Sequence, residues 1–267
     1  MKKMFAIAMA SLMLVCCAQK PKNVPAMTEP TTIVWIEDKP GPTFQERRIY
    51  PSLPDSLWVA LGLQKGVPSS MSCFLLKAEG KAILLDAGLG APVSRLVPKL
   101  EEAGVAPDSL GLIYISHMHP DHIGGLLKEG GKAFPNAELW INRVEVEAWK
   151  AMDAKKASLP HAVLAAYKDN LHLFEAGDTL AGGVVAVAAY GHTPGHTAFQ
   201  KDSILVIADL MHGAALQLEH PEYCPFYDME PEAAIASRKR LLEYARKNRL
   251  TMYGMHLPEP GFIQVTQ

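Results

Sequence analysis

The sequence predicts an α/β fold in a single domain. Short apolar runs typical of strands alternate with helical stretches, and polar loops rich in His, Asp and Gly follow several of those strands. Apolar residues also make up 49% of the 267 residues, which is ample for a sizeable core. This alternation is typical of sheets covered by helices, and we expect the domain to span residues 31–267.

The first half of the domain is predicted from apolar runs and from the turn-forming residues that separate them. Two apolar runs flank Glu79-Gly80, which indicates a hairpin, and Gly104 marks the end of a helix. Residues 38–70 show little pattern beyond a short helix within "PSLPDSLWVALGL", and we expect them to cover one side of a pocket. The predicted elements are a strand at 31–37, a hairpin at 71–88, a helix at 91–104 and a buried strand at 112–116.

The second half continues the same pattern. Its clearest element is an amphipathic helix with apolar residues at helical spacing. The predicted elements are a strand at 137–142, helices at about 143–157 and 160–170, strands at 182–191, 197–201 and 203–210, a helix at 230–248 and a strand at 250–255.

The N-terminus has the pattern of an export signal. Two lysines precede an apolar run from Met4 to Val15, which is too short to span a membrane as a helix. "LVCC" resembles a bacterial lipobox, with Cys17 rather than Cys16 as the lipidated residue. We therefore expect a lipoprotein signal peptide at 1–17, a Pro-rich tether at 18–30, and a periplasmic or cell-surface protein held to the membrane by its lipid. An ordinary secretory signal is the alternative.

Charge and cysteine content exclude several classes of protein. The net charge is −2 and no basic block occurs, which argues against nucleic-acid binding. Cys73 lies in an apolar strand and is predicted to be a core residue. A disulfide with Cys224 is an open alternative in an oxidising compartment, whereas two cysteines so far apart do not form a zinc ribbon.

The stretch "ISHMHPDHIGG" (115–125) holds three histidines and one aspartate in six positions. In an extended turn, His117 and His119 point the same way because they are two residues apart. Pro120 holds a bend, so Asp121 and His122 point in another direction. One loop can thus supply two neighbouring metal positions, whereas the ordinary alternative is a polar loop with surface histidines.

Further candidate ligands lie far downstream. His192 and His196 flank a turn in "GHTPGHT", Asp209 ends an apolar strand, and His256 follows the last strand. Since each follows a strand-like segment, all could converge on one rim of the sheet. A buried carboxylate such as Asp209 needs a counter-charge, which a pair of metal ions would provide.

The motifs "SHMHPDH", "TPGHT", "ADL" and "GMHLP" together resemble the metallo-β-lactamase superfamily, and "LLDAG" matches its early aspartate. The resemblance covers roughly 30–267 and implies an αββα sandwich with a binuclear metal site. It implies that one aspartate bridges the metals and that another orients a ligand. Apart from the resemblance, His192 is expected to shape the turn before His196, since histidine is commonly a partly buried structural residue. The implied roles are a first metal on His117, His119 and His196, a second on Asp121, His122 and His256, Asp209 as the bridge, Asp86 as the orienting residue, and Asp121 and Asp209 as catalytic residues.

Sequence details separate the branches of this superfamily. Its lactamases typically lack the bridging aspartate, and its oxygen-reducing diiron branch usually has glutamate where His119 stands. Nuclease branches usually carry an extra inserted domain, for which this chain is too short, and glyoxalase II adds a helical substrate domain for which the sequence shows no pattern. "DLMHGAALQLEHPEY" (209–223) and "GMHLPEPGFIQV" (254–265) resemble the methyl parathion hydrolase-like branch, near the N-acyl-homoserine lactonases.

The expected function is binuclear-metal hydrolysis. Two metal ions can share one water, lower its pKa and present hydroxide to a lactone or ester carbonyl, or to an organophosphate triester as a side activity. Five imidazoles and two carboxylates suit two zinc ions, with manganese, cobalt and iron as alternatives. A small-molecule substrate is expected, and a homodimer remains open. The alternatives are a glyoxalase II-like thioester hydrolase, a β-lactam hydrolase and a non-catalytic metal-binding lipoprotein.

Overall fold

Two six-stranded sheets pack face to face, with helices on their outer faces. The computed structural model describes residues 29–90 and 92–265. The strands are β1 (Thr32–Glu37), β2 (Thr43–Gln45), β3 (Val67–Ser69), β4 (Ser72–Ala78), β5 (Lys81–Leu85), β6 (Leu112–Ile115), β7 (Leu127–Lys128), β8 (Gly131–Lys132), β9 (Glu138–Asn142), β10 (Leu171–Phe174), β11 (Thr179–Leu180), β12 (Val184–Ala188), β13 (Thr197–Lys201), β14 (Ile204–Val206), β15 (Thr251–Tyr253) and β16 (Phe262–Gln264). The α-helices are α1 (Asp55–Ala60), α2 (Leu96–Glu102), α3 (Pro120–Ile123), α4 (Arg143–Ala151), α5 (Ser158–Ala166), α6 (Ala214–Gln217) and α7 (Pro231–Asn248).

Both sheets are mixed. The first has the order β1-β4-β5-β6-β9-β10 and the second the order β11-β12-β13-β14-β15-β16. Strands β5, β6, β9 and β10 run parallel, which requires crossover connections of the kind that α2, α4 and α5 provide. In the second sheet, β14 and β15 are also parallel, and α7 connects them.

The alternation of side chains along β4 builds two cores at once. Phe74 and Leu76 pack between the two sheets, whereas Cys73 and Leu75 point to the helices on the other side. This follows from the two-residue period of a strand, and it explains why β4 is apolar on both faces. The strand is therefore buried in the middle of a layered domain.

Each outer face is covered by helices. Residues of α2, α4 and α5 pack on the first sheet, and Leu241, Leu242 and Ala245 of α7 pack on the second. The result is four layers, helix–sheet–sheet–helix, so the predicted αββα sandwich in a single domain is confirmed.

One edge of the sandwich collects the loops that carry the candidate residues. Parallel neighbours end at the same edge of a sheet, so the loops after β5 and β6 lie together, as do those after β14 and β15. The loop between β12 and β13 reaches the same region, because Thr197 donates its backbone N–H to Ser116 O at 3.0 Å.

The predicted elements are largely confirmed, with some differences. The hairpin at Glu79-Gly80 and the helix from Pro231 are present. The strand predicted at 203–210 ends at Val206, and a 3-10 turn (Ala208–Leu210) follows it, so Asp209 lies in that turn. Strand pairing rather than local pattern defines the elements that sequence reasoning missed, which include β10, β11 and β16.

The predicted signal peptide, Cys17 and nearly all of the tether lie outside the described residues. Within the described part of the chain, no helix has the length and apolar character needed to cross a membrane. Cys73 and Cys224 are both buried and unpaired, and Cys73 lies in the core as predicted.

Candidate metal centre

Asp86 connects the ends of β5 and β6. Its Oδ1 accepts the backbone N–H of Ser116 and its Oδ2 accepts the Ser116 hydroxyl, both at 2.7 Å. Oδ2 also accepts Nδ1–H of His122 at 2.7 Å. Asp86 adopts a left-handed conformation (φ 60°), which aspartate tolerates better than most residues. The structure thus places Asp86 in contact with His122, where it orients the ring.

Three imidazole nitrogens meet at the first position. His117 Nε2 lies 3.1 Å from His119 Nδ1, His119 Nδ1 lies 2.9 Å from His192 Nε2, and the two Nε2 atoms of His117 and His192 are 3.2 Å apart. Nitrogens that each lie about 2.0–2.1 Å from one tetrahedral zinc ion are about 3.3 Å apart. The spacing of these three atoms therefore fits one metal ion.

His192, and not His196, completes this group. His192 Nδ1–H donates to Asp228 Oδ1 at 2.8 Å, which leaves the Nε2 lone pair free toward His117 and His119. His196 uses both nitrogens elsewhere: Nδ1–H donates to Ala189 O at 2.9 Å, and Nε2 accepts the backbone N–H of Asp209 at 3.2 Å. The predicted ligand role of His196 therefore does not fit the structure, and neither does a purely structural role for His192. His192 takes the position among the donor nitrogens that was predicted for His196.

Asp228 is a functional residue that sequence reasoning missed. It is buried, and its Oδ2 lies 3.3 Å from Nη2 of the buried Arg238. Burial raises the pKa of Asp228, but the hydrogen bond from His192 and the nearby charges of His212, His192 and Arg238 outweigh burial and hold it at about 2. A carboxylate on the far nitrogen of a metal-binding histidine fixes its tautomer and increases its basicity. No local pattern marks Asp228, because its partner is 36 residues away.

The second position brings together Asp121, His122, Asp209 and His256. His122 Nε2 lies 3.1 Å from Asp209 Oδ1, and His256 Nε2 lies 3.0 Å from Asp209 Oδ2. Asp121 Oδ2 is 3.4 Å from His256 Nε2 and 3.7 Å from His122 Nε2. All four residues of this predicted group are brought together.

Asp209 stands between the two groups. Its Oδ2 is 3.3 Å from His192 Nε2 and 3.8 Å from His117 Nε2, while its Oδ1 faces His122. The carboxylate therefore contacts atoms of both groups, as a residue shared between two metals would.

Hydrogen bonds fix the remaining rings. His117 Nδ1 lies 3.0 Å from Ser116 Oγ, and His256 Nδ1–H donates to Ser70 O at 2.9 Å. Each bond engages one nitrogen and leaves the other facing the site. Burial and the neighbouring histidines lower the pKa of His119 to about 3, so its ring is neutral, as a metal ligand must be.

The donor set fits a pair of transition-metal ions. Among the described residues, His122 Nε2 and Asp209 Oδ1 are buried without a hydrogen-bond partner, although only 3.1 Å separates them. Leaving such atoms unsatisfied is costly, and a bound cation would satisfy both. Imidazoles with two carboxylates suit zinc, and also manganese, cobalt or iron. The donors of these two groups are His117, His119, His192, Asp121, His122, Asp209 and His256, and His212 lies close enough to His192 and Asp209 to form a third group with them.

His212 is a further buried histidine at the site. Its Nε2 lies 3.2 Å from Asp209 Oδ2, and its Nδ1 has no partner among the described atoms. It therefore contacts the shared carboxylate.

A cavity of about 280 Å³ opens onto the two groups. Gln45, in the segment that sequence reasoning expected to cover the pocket, and Tyr227 line it. Met118, which stands between His117 and His119 in the sequence, is fully buried in the core between sheet and helices. Phe226 is 62% exposed and lies beside Tyr227.

The family follows from comparison with known proteins. A family model for the metallo-beta-lactamase superfamily matches residues 66–256, which is most of the chain. The chain therefore belongs to the metallo-β-lactamase superfamily, as its motifs predicted.

Particular relatives narrow the class. The N-acyl homoserine lactonase AiiA of Bacillus thuringiensis subsp. kurstaki is 28% identical over 214 residues, which cover 69% of this chain and 80% of the relative. The structure of hydrolase AbOPH, of the beta lactamase superfamily, is 27% identical with a TM-score of 0.76 and covers 88% of this chain and 89% of its own.

The dizinc quorum-quenching lactonase AidC, solved in complex with a product, N-hexanoyl-L-homoserine, is 25% identical with a TM-score of 0.75. That match covers 88% of this chain and 93% of AidC. The protein is thus a hydrolase of this superfamily and is related to zinc-dependent lactonases.

Proposed function

We propose that the protein is a binuclear metal hydrolase that opens lactone rings and cleaves carboxylic esters, with N-acyl homoserine lactones as the first substrates to test. The observation that carries this proposal is the position of the Asp209 carboxylate between two groups of metal-binding side chains, at the floor of a cavity. The lactonase relatives support the substrate class.

Each proposed metal has its own residues. The first would be held by His117, His119 and His192, and the second by Asp121, His122 and His256, with Asp209 shared. Two metal ions bound there would lower the pKa of a water molecule and polarise the carbonyl of the substrate. The chain contains no Gly-x-Ser-x-Gly motif, so its sequence gives no sign of a serine nucleophile.

The chain's own side chains orient this centre and shape its surroundings. Asp86 and Asp228 hold the rings of His122 and His192, and His212 contacts the shared carboxylate. The cavity of about 280 Å³ lies at the lower end of the range for small-molecule sites, which is about 300–1,000 Å³. We therefore expect the lactone ring and its amide to enter, and a long acyl chain to extend toward exposed Phe226.

A substrate panel tests the proposal. The zinc-loaded protein would be assayed with N-hexanoyl homoserine lactone, an aryl ester, an organophosphate triester, a β-lactam and a glutathione thioester. We expect the wild type to hydrolyse the lactone and the ester. In Asp209→Asn, we expect the rate of this hydrolysis to fall about 100-fold or more. The exposed Asp169→Asn is the matched control and should retain activity. Turnover of only the β-lactam or the thioester would contradict the proposal.

Organophosphate triesters are proposed as a side activity. The support is the resemblance of residues 209–223 to the methyl parathion hydrolase-like branch. A two-metal centre that attacks carbonyl carbon can also attack phosphorus, because both reactions place charge on an oxygen that a metal can stabilise. The triester in the same panel should be hydrolysed more slowly than the lactone.

We also propose that the protein is exported and lipidated on Cys17. The support is the run of lysines, apolar residues and cysteines at 1–17. Labelling of cells with a fatty-acid probe should mark the wild-type protein and leave Cys17→Ser unmarked. A wild-type protein without label would contradict lipidation.

A further inference from the structure

Glu145 is a buried carboxylate at the start of α4 that accepts four hydrogen bonds. Its side chain is fully buried. Oε1 accepts the backbone N–H of Met118 at 2.9 Å and the indole N–H of Trp149 at 2.6 Å. Oε2 accepts the hydroxyl of Thr193 and the backbone N–H of Gly195, both at 2.8 Å. All four partners are neutral donors.

These donors come from the two loops that carry the first group of imidazoles. Met118 lies between His117 and His119, and Thr193 directly follows His192. The two loops are far apart in sequence, yet His119 Nδ1 and His192 Nε2 are only 2.9 Å apart. Oε1 binds the loop of His117 and His119, and Oε2 binds the loop of His192. The Glu145 side chain therefore connects the two loops.

The residues around Glu145 are closely packed. A Cβ on Gly195 would lie 2.2 Å from the backbone N of Glu145, so the turn after His192 packs directly against the helix. The Trp149 ring, held by Oε1, stands edge-on to the His119 ring with centroids 5.7 Å apart. Glu145 therefore also supports His119 through Trp149.

The chemistry of the site requires a carboxylate. An ionised carboxylate only accepts hydrogen bonds, and its two oxygens match these four donors. A glutamine of the same shape would turn an N–H₂ group toward two of the donors, which breaks one loop connection. A buried charge is tolerated only when it is satisfied in this way.

We propose that Glu145 is a positioning residue that sets the distance between the His117–His119 loop and the His192 loop, and so creates the first metal position. This rests on the proposed metal centre. It predicts that loss of the carboxylate weakens metal binding at the first position selectively. The second position should be less affected, because His122 and His256 are held by other hydrogen bonds, to Asp86 and to Ser70 O.

Cobalt titration of the metal-free protein tests the proposal, with the visible spectrum of bound cobalt as the readout. We expect Glu145→Gln to weaken binding at the first position about 10- to 100-fold and to leave the second within about threefold. The matched control is Glu147→Gln, an exposed residue of the same helix, which should bind cobalt as the wild type does. Wild-type affinity at both positions in Glu145→Gln, or equal weakening of both, would overturn the proposal.

A milder variant covers the case in which Glu145→Gln does not fold. Thr193→Val removes only the hydroxyl donor to Oε2, and we expect it to weaken the first position about 3- to 10-fold. Unchanged affinity in Thr193→Val would overturn the proposal. If the wild type binds two metals but hydrolyses no lactone or ester, the proposed function fails while this inference still stands.

Discussion

Asp228 Oδ1 accepts Nδ1–H of His192 at 2.8 Å, and this contact distinguishes two histidines that are four residues apart in "GHTPGHT". It presents His192 Nε2 to His117 and His119, whereas His196 has both ring nitrogens engaged. The assignment of the third ligand therefore depends on a hydrogen-bond partner outside the motif.

Metal content distinguishes the two histidines. We expect His192→Ala to retain about one metal per chain, because the first group loses one of its three nitrogens. His196→Ala should retain two, since both nitrogens of His196 are engaged by the backbone, at Ala189 O and at the N–H of Asp209. Elemental analysis after dialysis measures both. One metal in His196→Ala and two in His192→Ala would reverse the assignment.

Removing the Asp228 charge should weaken metal binding at the first position and should also lower the stability of the fold. In Asp228→Asn, His192 loses its anionic partner, and we expect metal affinity to fall about 10- to 100-fold. Arg238 also loses its buried counter-ion, which should lower the free energy of unfolding by about 3 kcal/mol.

Chelator competition and denaturant unfolding measure the two effects of Asp228→Asn. Asp169→Asn, at an exposed position, is the control for loss of a carboxylate. An Asp228→Asn variant with wild-type metal affinity would show that this hydrogen bond does not orient His192 for binding.

Metal binding should release protons and strengthen with rising pH. Burial disfavours the charged ring of His256, but Asp209 and Asp121 outweigh burial and raise its pKa to about 10. The ring is therefore protonated in the metal-free protein at pH 8, whereas a metal ligand must be neutral. Below that pKa, each released proton raises the apparent affinity about tenfold per pH unit.

Calorimetry in two buffers of different ionisation enthalpy counts these protons. At least about one proton per two metals is expected at pH 8. Zero released protons, with an affinity that does not change between pH 7 and 8, would contradict the protonated state of His256 in the metal-free protein.

Phe226 should contribute to the binding of long acyl chains. Its side chain is 62% exposed and its ring lies 5.2 Å from that of Tyr227, which lines the cavity. We expect Phe226→Ser to raise KM for N-decanoyl homoserine lactone about 5- to 10-fold and to leave KM for the butanoyl lactone nearly unchanged, because only the long chain loses apolar contact. Val97→Ser, on α2, is the control, and equal effects on both lactones would contradict this role.

The sequence predicts most of the scaffold because its signals are local. The turn at Glu79-Gly80 and the amphipathic α7 are each specified by neighbouring residues, and the structure contains both. The histidine cluster likewise predicts a site with two metal positions, since Pro120 separates the directions of its ligands.

Other features depend on contacts between distant parts of the chain. Nothing within "GHTPGHT" distinguishes His192 from His196, because both follow a glycine. Their roles are decided by Asp228 and by the backbone of Asp209. The role of Glu145 could not be predicted for the same reason, because its partners come from two other loops. An isolated glutamate on a helix is usually exposed, so the sequence alone predicts a surface residue.

The central claim is that two metal ions share Asp209, and a crystal structure of the zinc-loaded protein with anomalous diffraction at the zinc edge tests it most directly. We predict two anomalous peaks per chain, one among His117, His119 and His192 and the other among Asp121, His122 and His256, with an Asp209 oxygen bound to each. A single peak, or a peak bound by His196 in place of His192, would contradict the account.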